Sequence, residues 1–414
     1  MRKTNYELFL IFDTIIMYKN IWKGAFRMTR EELLRWVDTQ ADATVQVWRE
    51  LVRLESPSAD KAAIDELAGK LESYLQGMGM QTQKHPFPRA GAGLSAWTAE
   101  GELPPILLLG HYDTVHPKGA FGEDPFVIDA DGHVHGPGVY DMKGGIAAAT
   151  LVIRALKLAG YTKRQLRLAL IGDEEVAHEY SDLGSIEIFR GCAGAAAAFN
   201  LESGAINGDV VTGRKGALVA RITVHGVAAH AGREPQNGAS AIREAARKVL
   251  QIEALTDFNG TTYNCGKIEG GIGSNTVPDS CSILVAVRFK ANSDYENAVQ
   301  ALTAIAADNE DPRVTAEFKQ LALFNAMEKT EKTDALFALY QNACEELGCR
   351  RPEQLYTGGC SDAAYTAMLG IPTLCGTGVR GEFNHTLKEY AVVSSVVEQA
   401  KKILLTILDL PDEF

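Results

Sequence analysis

Two short apolar runs, separated by an Ala/Leu-rich segment, constrain the fold of this chain more than any other feature. The first run spans 105–110 and the second 167–172, and each ends at a glycine. Apolar runs of this length without alternation are typical of strands buried on both faces of a mainly parallel sheet. The segment 145–159 between them has the composition of a helix. The pattern predicts an α/β domain built on a mostly parallel, doubly wound sheet.

A second domain is predicted inside the first. Residues 217–320 contain, in order, strand 217–225, helix 239–255, strands 261–268 and 281–289, helix 295–307 and strand 313–318. This βαββαβ order is that of a ferredoxin-like domain, which is complete in itself. We therefore expect a first domain formed by 28–212 and 326–414, with a second domain, 213–325, inserted into it.

Composition and charge exclude several classes of protein. Of the 414 residues, 46% are hydrophobic and 23% are charged, which is typical of a folded globular chain. The net charge is -12 and no basic cluster is present, so we expect no nucleic-acid partner. Beyond the N-terminal segment no stretch approaches the ~20 apolar residues of a membrane span. Seven scattered cysteines without a CxxC pair favour a reducing compartment, which predicts a cytoplasmic protein.

The first 27 residues differ from the rest of the chain. Asp13 interrupts their apolar run and no small-residue cleavage site follows, so a signal peptide is not favoured. Thr29 to Glu32 has the capping-box pattern of a helix N-terminus. We expect the native protein to begin at Met28.

Metal-ligand residue types follow successive predicted strands. His111 and Asp113 come after the first apolar run, and Glu174 and Glu175 after the second. Three further candidates lie in comparable positions: Asp141, Glu202 and His385. Ligand sites of open α/β sheets form beyond the carboxyl ends of the strands, and mixed imidazole and carboxylate donors suit zinc, cobalt or manganese. Of two adjacent glutamates, one can ligate while the other acts as a general base.

Other chemistries have little support. A single His-x-Asp or Glu-Glu pair is common on protein surfaces, and only the joint placement at strand ends favours a site. The sequence contains no Gly-x-Ser-x-Gly elbow, Walker loop or dinucleotide-binding fingerprint. Cys360, beside Ser361 and Asp362, offers a thiol nucleophile, but a free cysteine is usually a small buried hydrophobe. We therefore assign it no catalytic role.

Seven motifs resemble those of a known family. They are 109–119, 136–145, 173–175, 229–232, 273–278, 358–363 and 384–385, and the resemblance runs from about Thr29 to Leu410. The chain is similar to glutamate carboxypeptidase (carboxypeptidase G), in the di-zinc metallopeptidase family that includes acetylornithine deacetylase, succinyl-diaminopimelate desuccinylase and aminoacylase. Ala229 stands where some members carry serine, which is a small departure.

The resemblance implies a centre with two zinc ions per subunit, Co²⁺ or Mn²⁺ being possible substitutes. It implies that Asp141 bridges the ions. His111 and Glu202 would complete one site, and Glu175 with His385 the other. A cis peptide bond is expected after the bridging Asp141.

The resemblance also implies roles for residues that do not bind metal. Glu174 would be the general base, and Asp113 would hold the free ring nitrogen of His111. His230 would stabilise the oxyanion, in several members from the partner subunit of a homodimer. The remaining histidines near these motifs are expected to be surface residues or indirect supports: His116, His133, His135 and His178.

Three residues are candidates for holding the substrate. Asn275 and Arg288 are implied by the resemblance, and Arg214 is favoured by its charge at the domain entry, although a solvated turn remains an alternative. Leu321 stands where glutamate carboxypeptidase has an arginine, so we expect a weaker preference for a second carboxylate.

The activity so implied is hydrolysis of an amide bond next to a free carboxylate, by an exopeptidase acting on small peptides. A deacylase of N-acyl amino acids from the same family is the alternative. A metal-binding protein without activity is a rival from another class, and the presence of Glu174 argues against it.

Overall fold

The computed structural model describes residues 28–414. The expectations for residues 1–27, including the absence of a signal peptide and the start at Met28, lie outside the described residues. Two compact units are present among the described residues: one contains 28–211 with Thr330–Gln354 and Leu369–Phe414, and the other contains Thr212–Lys329 with Leu355–Met368.

The second unit differs from the expected insertion by one additional segment. Sequence analysis places 355–368 in the first domain, but in the structure this segment belongs to the second unit. The N–H of Lys215 donates to the carbonyl oxygen of Thr357 at 2.9 Å, and Arg214 Nη1 donates to the carbonyl oxygen of Gly359 at 3.1 Å. These hydrogen bonds, between residues that are distant in sequence, attach the segment to the second unit. Because they involve backbone carbonyl groups, the sequence carries no pattern that predicts them.

The described chain contains ten α-helices. They are α1 (Arg30–Thr39), α2 (Ala41–Arg53), α3 (Lys61–Gly77), α4 (Gly144–Leu158), α5 (Ile186–Arg190), α6 (Ala241–Glu253), α7 (Asn292–Ala307), α8 (Glu331–Glu346), α9 (Ala363–Met368) and α10 (Ser395–Leu408).

The same described part of the chain contains eighteen strands. They are β1 (Gln81–His85), β2 (Gly93–Trp97), β3 (Leu103–His111), β4 (Val127–Ile128), β5 (His133–His135), β6 (Arg164–Ile171), β7 (Ala197–Asn200), β8 (Val210–Arg214), β9 (Gly216–His225), β10 (Ala229–His230), β11 (Thr262–Gly270), β12 (Thr276–Val277), β13 (Ser280–Phe289), β14 (Thr315–Phe324), β15 (Gln354–Thr357), β16 (Thr373–Cys375), β17 (Gly381–Glu382) and β18 (Tyr390–Val392).

The main sheet confirms the α/β class but is mixed rather than mostly parallel. Its strand order is β1-β2-β6-β3-β7-β16-β8-β15. The central pairs β6-β3, β3-β7 and β7-β16 are parallel, whereas β1-β2, β2-β6 and β16-β8 are antiparallel. The parallel centre is the part that the apolar runs predict, and α4 is buried along nearly its whole length beside it.

The first helix begins as its sequence predicts. Thr29 Oγ1 accepts the N–H of Glu32 at 3.2 Å, and Glu32 Oε2 accepts the N–H of Thr29 at 2.8 Å. This reciprocal capping box satisfies two of the N–H groups that a helix start leaves without partners, and such caps contribute about 1 kcal/mol.

The second unit has the predicted βαββαβ order, formed by β9, α6, β11, β13, α7 and β14. Its four strands pair antiparallel in the order β11-β13-β9-β14. Alternate residues of β13 are buried in an apolar core with residues of α6 and α7. The other face of this sheet carries exposed and half-buried side chains, the exposed ones including Arg288 on β13 and Arg221 on β9.

Two findings bear on the environment of the protein. All seven cysteines are free thiols. Among residues 28–414, no helix has the length and apolar character that crossing a membrane requires.

Candidate metal centre and active site

The carboxyl edge of the parallel strands gathers the predicted ligand residues. β3 ends at His111, Glu174 and Glu175 follow β6, and Glu202 follows β7. Because parallel strands share one carboxyl edge, these side chains lie together. Asp141 comes from the irregular turn Val139–Lys143 that leads into α4.

The carboxylate of Asp141 lies between two imidazoles. Its Oδ1 atom is 3.4 Å from Nε2 of His111, and its Oδ2 atom is 3.3 Å from Nε2 of His385. Nε2 of His111 also lies 3.8 Å from Oε1 of Glu202, and Nε2 of His385 lies 3.0 Å from Oε2 of Glu175. The structure thus brings all five predicted ligands together, with the carboxylate of Asp141 between the two imidazoles. The peptide bond from Asp141 to Met142 is cis, as the resemblance implies.

The geometry of these atoms fits a metal ion. His111 Nε2 and Asp141 Oδ1 are buried and have no hydrogen-bond partner among the described residues. A buried polar atom without a partner costs about 1–3 kcal/mol, and a metal ion would satisfy both. Two sets of three residues each have their ligand atoms within 4.8 Å of one another. The first set is His111, Asp141 and Glu175, and the second is His111, Glu174 and Glu202. Nitrogen and carboxylate donors of this kind suit zinc and related divalent ions.

The pKa values of the central groups indicate an excess of negative charge. Burial lowers the pKa of His111, but the nearby carboxylates of Asp113 and Asp141 outweigh burial and raise the pKa well above its usual value. Asp141 and Glu175 raise the pKa of His385 to about 10. Burial acts to raise the pKa of Asp141, yet His111 and His385 hold it well below its usual range. The carboxylates therefore stabilise positive charge here, as a cation site requires.

Asp113 supports the centre from behind His111. It is fully buried, and its Oδ1 atom lies 3.3 Å from Nδ1 of His111, the contact that the resemblance implies. The N–H groups of Glu174 and Glu175 each donate to this carboxylate at 3.2 Å. The hydroxyl of Ser58 donates to it at 2.7 Å.

Sequence reasoning missed several residues around the centre. Ser58 contacts Asp113, Asn384 Nδ2 donates to Asp141 Oδ2 at 2.8 Å, and Glu389 accepts the N–H of Asp141 at 3.1 Å. Asn384 lies in one of the seven motifs, which was a usable signal, whereas Glu389 lies in none of them. His116 is buried against Glu389, so of the two roles expected for it, surface residue or indirect support, the structure favours the support.

His230 and Asn275 lie together in the second unit. The strand pair β10-β12 places His230 opposite Thr276, and the N–H of Ala231 donates to the carbonyl oxygen of Asn275 at 2.9 Å. The N–H of Gly232 donates to Nδ1 of His230 at 3.1 Å. Since Nδ1 accepts, the ring proton of the neutral imidazole is assigned to Nε2, which is left as a donor on an exposed side chain.

The two candidate arginines meet at one loop of the second unit. Arg288 Nη1 donates to Cys360 Sγ at 3.3 Å, and Arg214 Nη1 donates to the carbonyl oxygen of Gly359 at 3.1 Å. Arg214 therefore makes a specific hydrogen bond, which the alternative of a solvated turn does not predict. These contacts place both guanidinium groups beside the loop that contains Cys360 and Ser361.

Imidazole and carboxylate groups that gather at the carboxyl edge of the sheet in an α/β domain are typical of a metalloenzyme. Residues 107–409 match the model of peptidase family M20/M25/M40. The match covers most of the chain, so this protein belongs to that family and is a hydrolase of the peptidase and amidohydrolase type. The family resemblance stated from the motifs is confirmed.

Individual relatives span nearly the whole chain. Carboxypeptidase G2 of Pseudomonas sp. (strain RS-16) is 27% identical over 385 residues, which cover 89% of each chain. Succinyl-diaminopimelate desuccinylase of Marinobacter nauticus is 27% identical over 345 residues, covering 79% of this chain and 88% of the relative. Aminopeptidase PepT from Bacillus cereus has a similar fold, with a TM-score of 0.75 and 24% identity over 89% of this chain and 98% of its own.

Proposed function

We propose that this chain is a zinc-dependent hydrolase of amide bonds adjacent to a free carboxylate, acting as a glutamate carboxypeptidase-like exopeptidase on small peptides. The observation that carries the proposal is the position of Asp141 between His111 and His385, with Glu174 beside them. The similarity to carboxypeptidase G2 over 89% of the chain supports this substrate class.

Five residues would hold two divalent ions. His111 and Glu202 would serve one ion, Glu175 and His385 the other, and Asp141 both. The bound ions would supply Lewis-acid polarisation of the scissile carbonyl and a lowered pKa for the attacking water. Zinc is the proposed metal, and cobalt or manganese would suit the same donors.

Glu174 is the proposed general base. Its carboxylate lies within 4.8 Å of ligand atoms of His111 and Glu202, and its N–H is fixed by Asp113 at 3.2 Å. In this position it would accept the proton of the attacking water and then donate it to the nitrogen of the leaving amine. One residue thus carries the proton through both halves of the reaction.

Residues of the second unit are assigned to the substrate. His230, with its donor Nε2, would stabilise the oxyanion. Asn275 would contact the substrate, and Arg288 with Arg214 would bind the free carboxylate through charged hydrogen bonds. These assignments rest on the resemblance and on the local contacts of each side chain.

Three broader assignments belong to this proposal. The second unit is a dimerisation domain, so the enzyme acts as a homodimer. Its four-stranded sheet has two edge strands, β11 and β14, and pairing an edge across a two-fold axis would cover it. The seven free thiols support a cytoplasmic location.

A deacylase of N-acyl amino acids is the second candidate, and the similarity to succinyl-diaminopimelate desuccinylase favours it. A screen decides between the two: the zinc-loaded enzyme is offered dipeptides and N-acyl amino acids that vary in the C-terminal residue, each with its C-terminally amidated counterpart. We expect cleavage of peptides with a free carboxylate. Cleavage of N-acyl amino acids alone would favour the deacylase, and no cleavage of either with zinc or cobalt would favour the metal-binding protein without activity.

A further inference from the structure

Glu389 is a buried carboxylate that the mechanism above does not use. It lies in the loop between β17 and β18 and is 1% exposed. Its Oε1 atom accepts the N–H groups of Tyr140 at 3.0 Å and of Asp141 at 3.1 Å. Its Oε2 atom lies 2.8 Å from Nε2 of His116. Three donors therefore converge on one carboxylate directly behind the proposed bridging ligand.

The turn that carries Asp141 needs an acceptor from elsewhere. Asp141 has φ -116° and ψ 92°, which is not helical, so the regular hydrogen bonds of a helix are broken within Val139–Lys143. Buried N–H groups in such a turn must be satisfied from outside it. Glu389 supplies that acceptor for two consecutive N–H groups, which fixes the peptide plane from which the Asp141 side chain projects.

The same loop also holds the side chain of Asp141. Asn384 Nδ2 donates to Oδ2 of Asp141 at 2.8 Å, and His385 Nε2 lies 3.3 Å from that oxygen. A single loop thus contacts both the backbone and the carboxylate of Asp141. Movement of Glu389 would disturb the orientation of that carboxylate toward both imidazoles.

His116 fixes the orientation of Glu389. Its ring is 6% exposed and packs edge-on against Phe121, with ring centroids 5.0 Å apart. Because an ionised carboxylate only accepts hydrogen bonds, Nε2 of His116 is the donor in this pair. His116 follows His111 and Asp113 on the same connection, so the contact links both ligand-bearing segments.

We propose that Glu389, held by His116, is a positioning residue of the metal centre. It fixes the backbone of Asp141 so that one carboxylate oxygen faces His111 and the other faces His385. The inference rests on the proposed metal-dependent function, and its measurable consequence is the affinity of the folded protein for the metal.

The test compares Glu389→Ala with Glu389→Gln in the metal-free full chain, titrated with Zn²⁺ against a chromophoric chelator. Circular dichroism checks folding. Alanine leaves the two N–H groups without an acceptor, and we expect a ~10–100-fold loss of affinity, as for other partners of metal ligands. Glutamine keeps an oxygen acceptor, and the other neutral tautomer of His116 can accept from its amide, so we expect affinity within ~3-fold of the parent.

Glu382→Ala is the matched control. Glu382 lies on β17, and its carboxylate accepts the hydroxyl of Tyr390 at 2.7 Å without contacting Asp141. We expect parent affinity for this variant. If Glu389→Ala does not fold, His116→Ala and His116→Gln replace it: alanine should weaken Zn²⁺ binding, and the glutamine amide should restore it.

The possible failures are distinguishable. A folded Glu389→Ala that binds Zn²⁺ as tightly as the parent overturns the positioning role and leaves the proposed function standing. An equal loss of Zn²⁺ affinity in Glu389→Gln also overturns the positioning role, because an oxygen acceptor at residue 389 would then not be sufficient to hold Asp141. If only the His116 variants fold, parent affinity in His116→Ala overturns the role. A parent chain that binds no Zn²⁺ overturns the proposed function and this inference with it.

Discussion

Asp113 accepts the backbone N–H of Glu174 through Oδ1 at 3.2 Å, and the same oxygen lies 3.3 Å from Nδ1 of His111. Its second oxygen accepts the N–H of Glu175 at 3.2 Å and the hydroxyl of Ser58 at 2.7 Å. One buried carboxylate therefore connects a proposed ligand imidazole to the segment that carries the proposed base.

Asp113→Asn tests this connection. The amide nitrogen that replaces one oxygen would face an N–H donor of Glu174 or Glu175 and could not accept it. We expect Zn²⁺ affinity and kcat/KM to fall by ~10–100-fold, measured by chelator competition and initial rates. Asp129→Asn removes a carboxylate that contacts His135 at 3.0 Å and serves as the control, with parent values expected. Parent affinity in Asp113→Asn would refute the connection.

Glu174→Gln separates proton transfer from metal binding. The amide cannot take a proton, so turnover should fall by ~10²–10⁴-fold while bound zinc stays at the parent level. Replacing Glu175, His111 or His385 with alanine should lower the zinc content as well, as measured by mass spectrometry of the metal. Turnover of Glu174→Gln within about tenfold of the parent would contradict its assignment as the base.

The proposed dimer makes a prediction about mixed subunits. If His230 acts across the interface, His230→Ala and Glu174→Gln chains, each inactive alone, should regain activity when mixed, because some active sites then contain both intact residues. Each variant incubated only with itself is the control. Light scattering at micromolar concentration should give the mass of two chains, and the mass of one chain would count against the dimer.

Arg288 is expected to bind the free carboxylate of the substrate. Arg288→Ala should lower kcat/KM by ~10–100-fold, which corresponds to the ~1.5–3 kcal/mol of a charged hydrogen bond. Arg221 lies on the same face of the same sheet, because its partner Leu284 points to the same side as Arg288. Arg221→Ala is therefore the matched control and should keep parent kinetics. Equal cleavage of amidated and free substrates would contradict an exopeptidase.

Leu321 is expected to limit selectivity for a second carboxylate. It is 41% exposed, at a bulge of β14 between Gln320 and Ala322. The neutral side chain offers no charge to an acidic substrate, so the ratio of kcat/KM for C-terminal Glu over Ala should be modest. Leu321→Arg should raise that ratio. A strong preference for Glu in the parent would show that another cation replaces the missing one.

The sequence predicts the elements whose signals are local. The helix start at Thr29 and the buried strands β3 and β6 follow from capping and from apolar runs, and the structure confirms them. β1 was not predicted, because Gln81–His85 is a polar, largely exposed strand at the sheet edge without an apolar pattern. β15 at the opposite edge of the sheet was not predicted either, because Gln354–Thr357 is short and none of its side chains is buried.

The candidate site divides in the same way. His111 ends a strand and Glu175 and Glu202 follow strands, so their common edge could be predicted, and the family motifs supplied His385. The role of Glu389 could not be predicted, because it accepts backbone N–H groups of a turn that is distant in sequence. Every residue but proline has such an N–H group, so these hydrogen bonds leave no recognisable pattern of residue types.

Removal and return of the metal tests the central claim most directly. The protein is stripped with a chelator, dialysed and titrated with Zn²⁺, while hydrolysis of an N-acyl dipeptide with a free C-terminal carboxylate is followed. Because Asp141 lies between the two imidazoles proposed as ligands, activity should vanish on stripping and return until two zinc ions are bound per chain. Full activity in the stripped protein, with metal analysis showing no bound ion, would contradict a metal-dependent hydrolase.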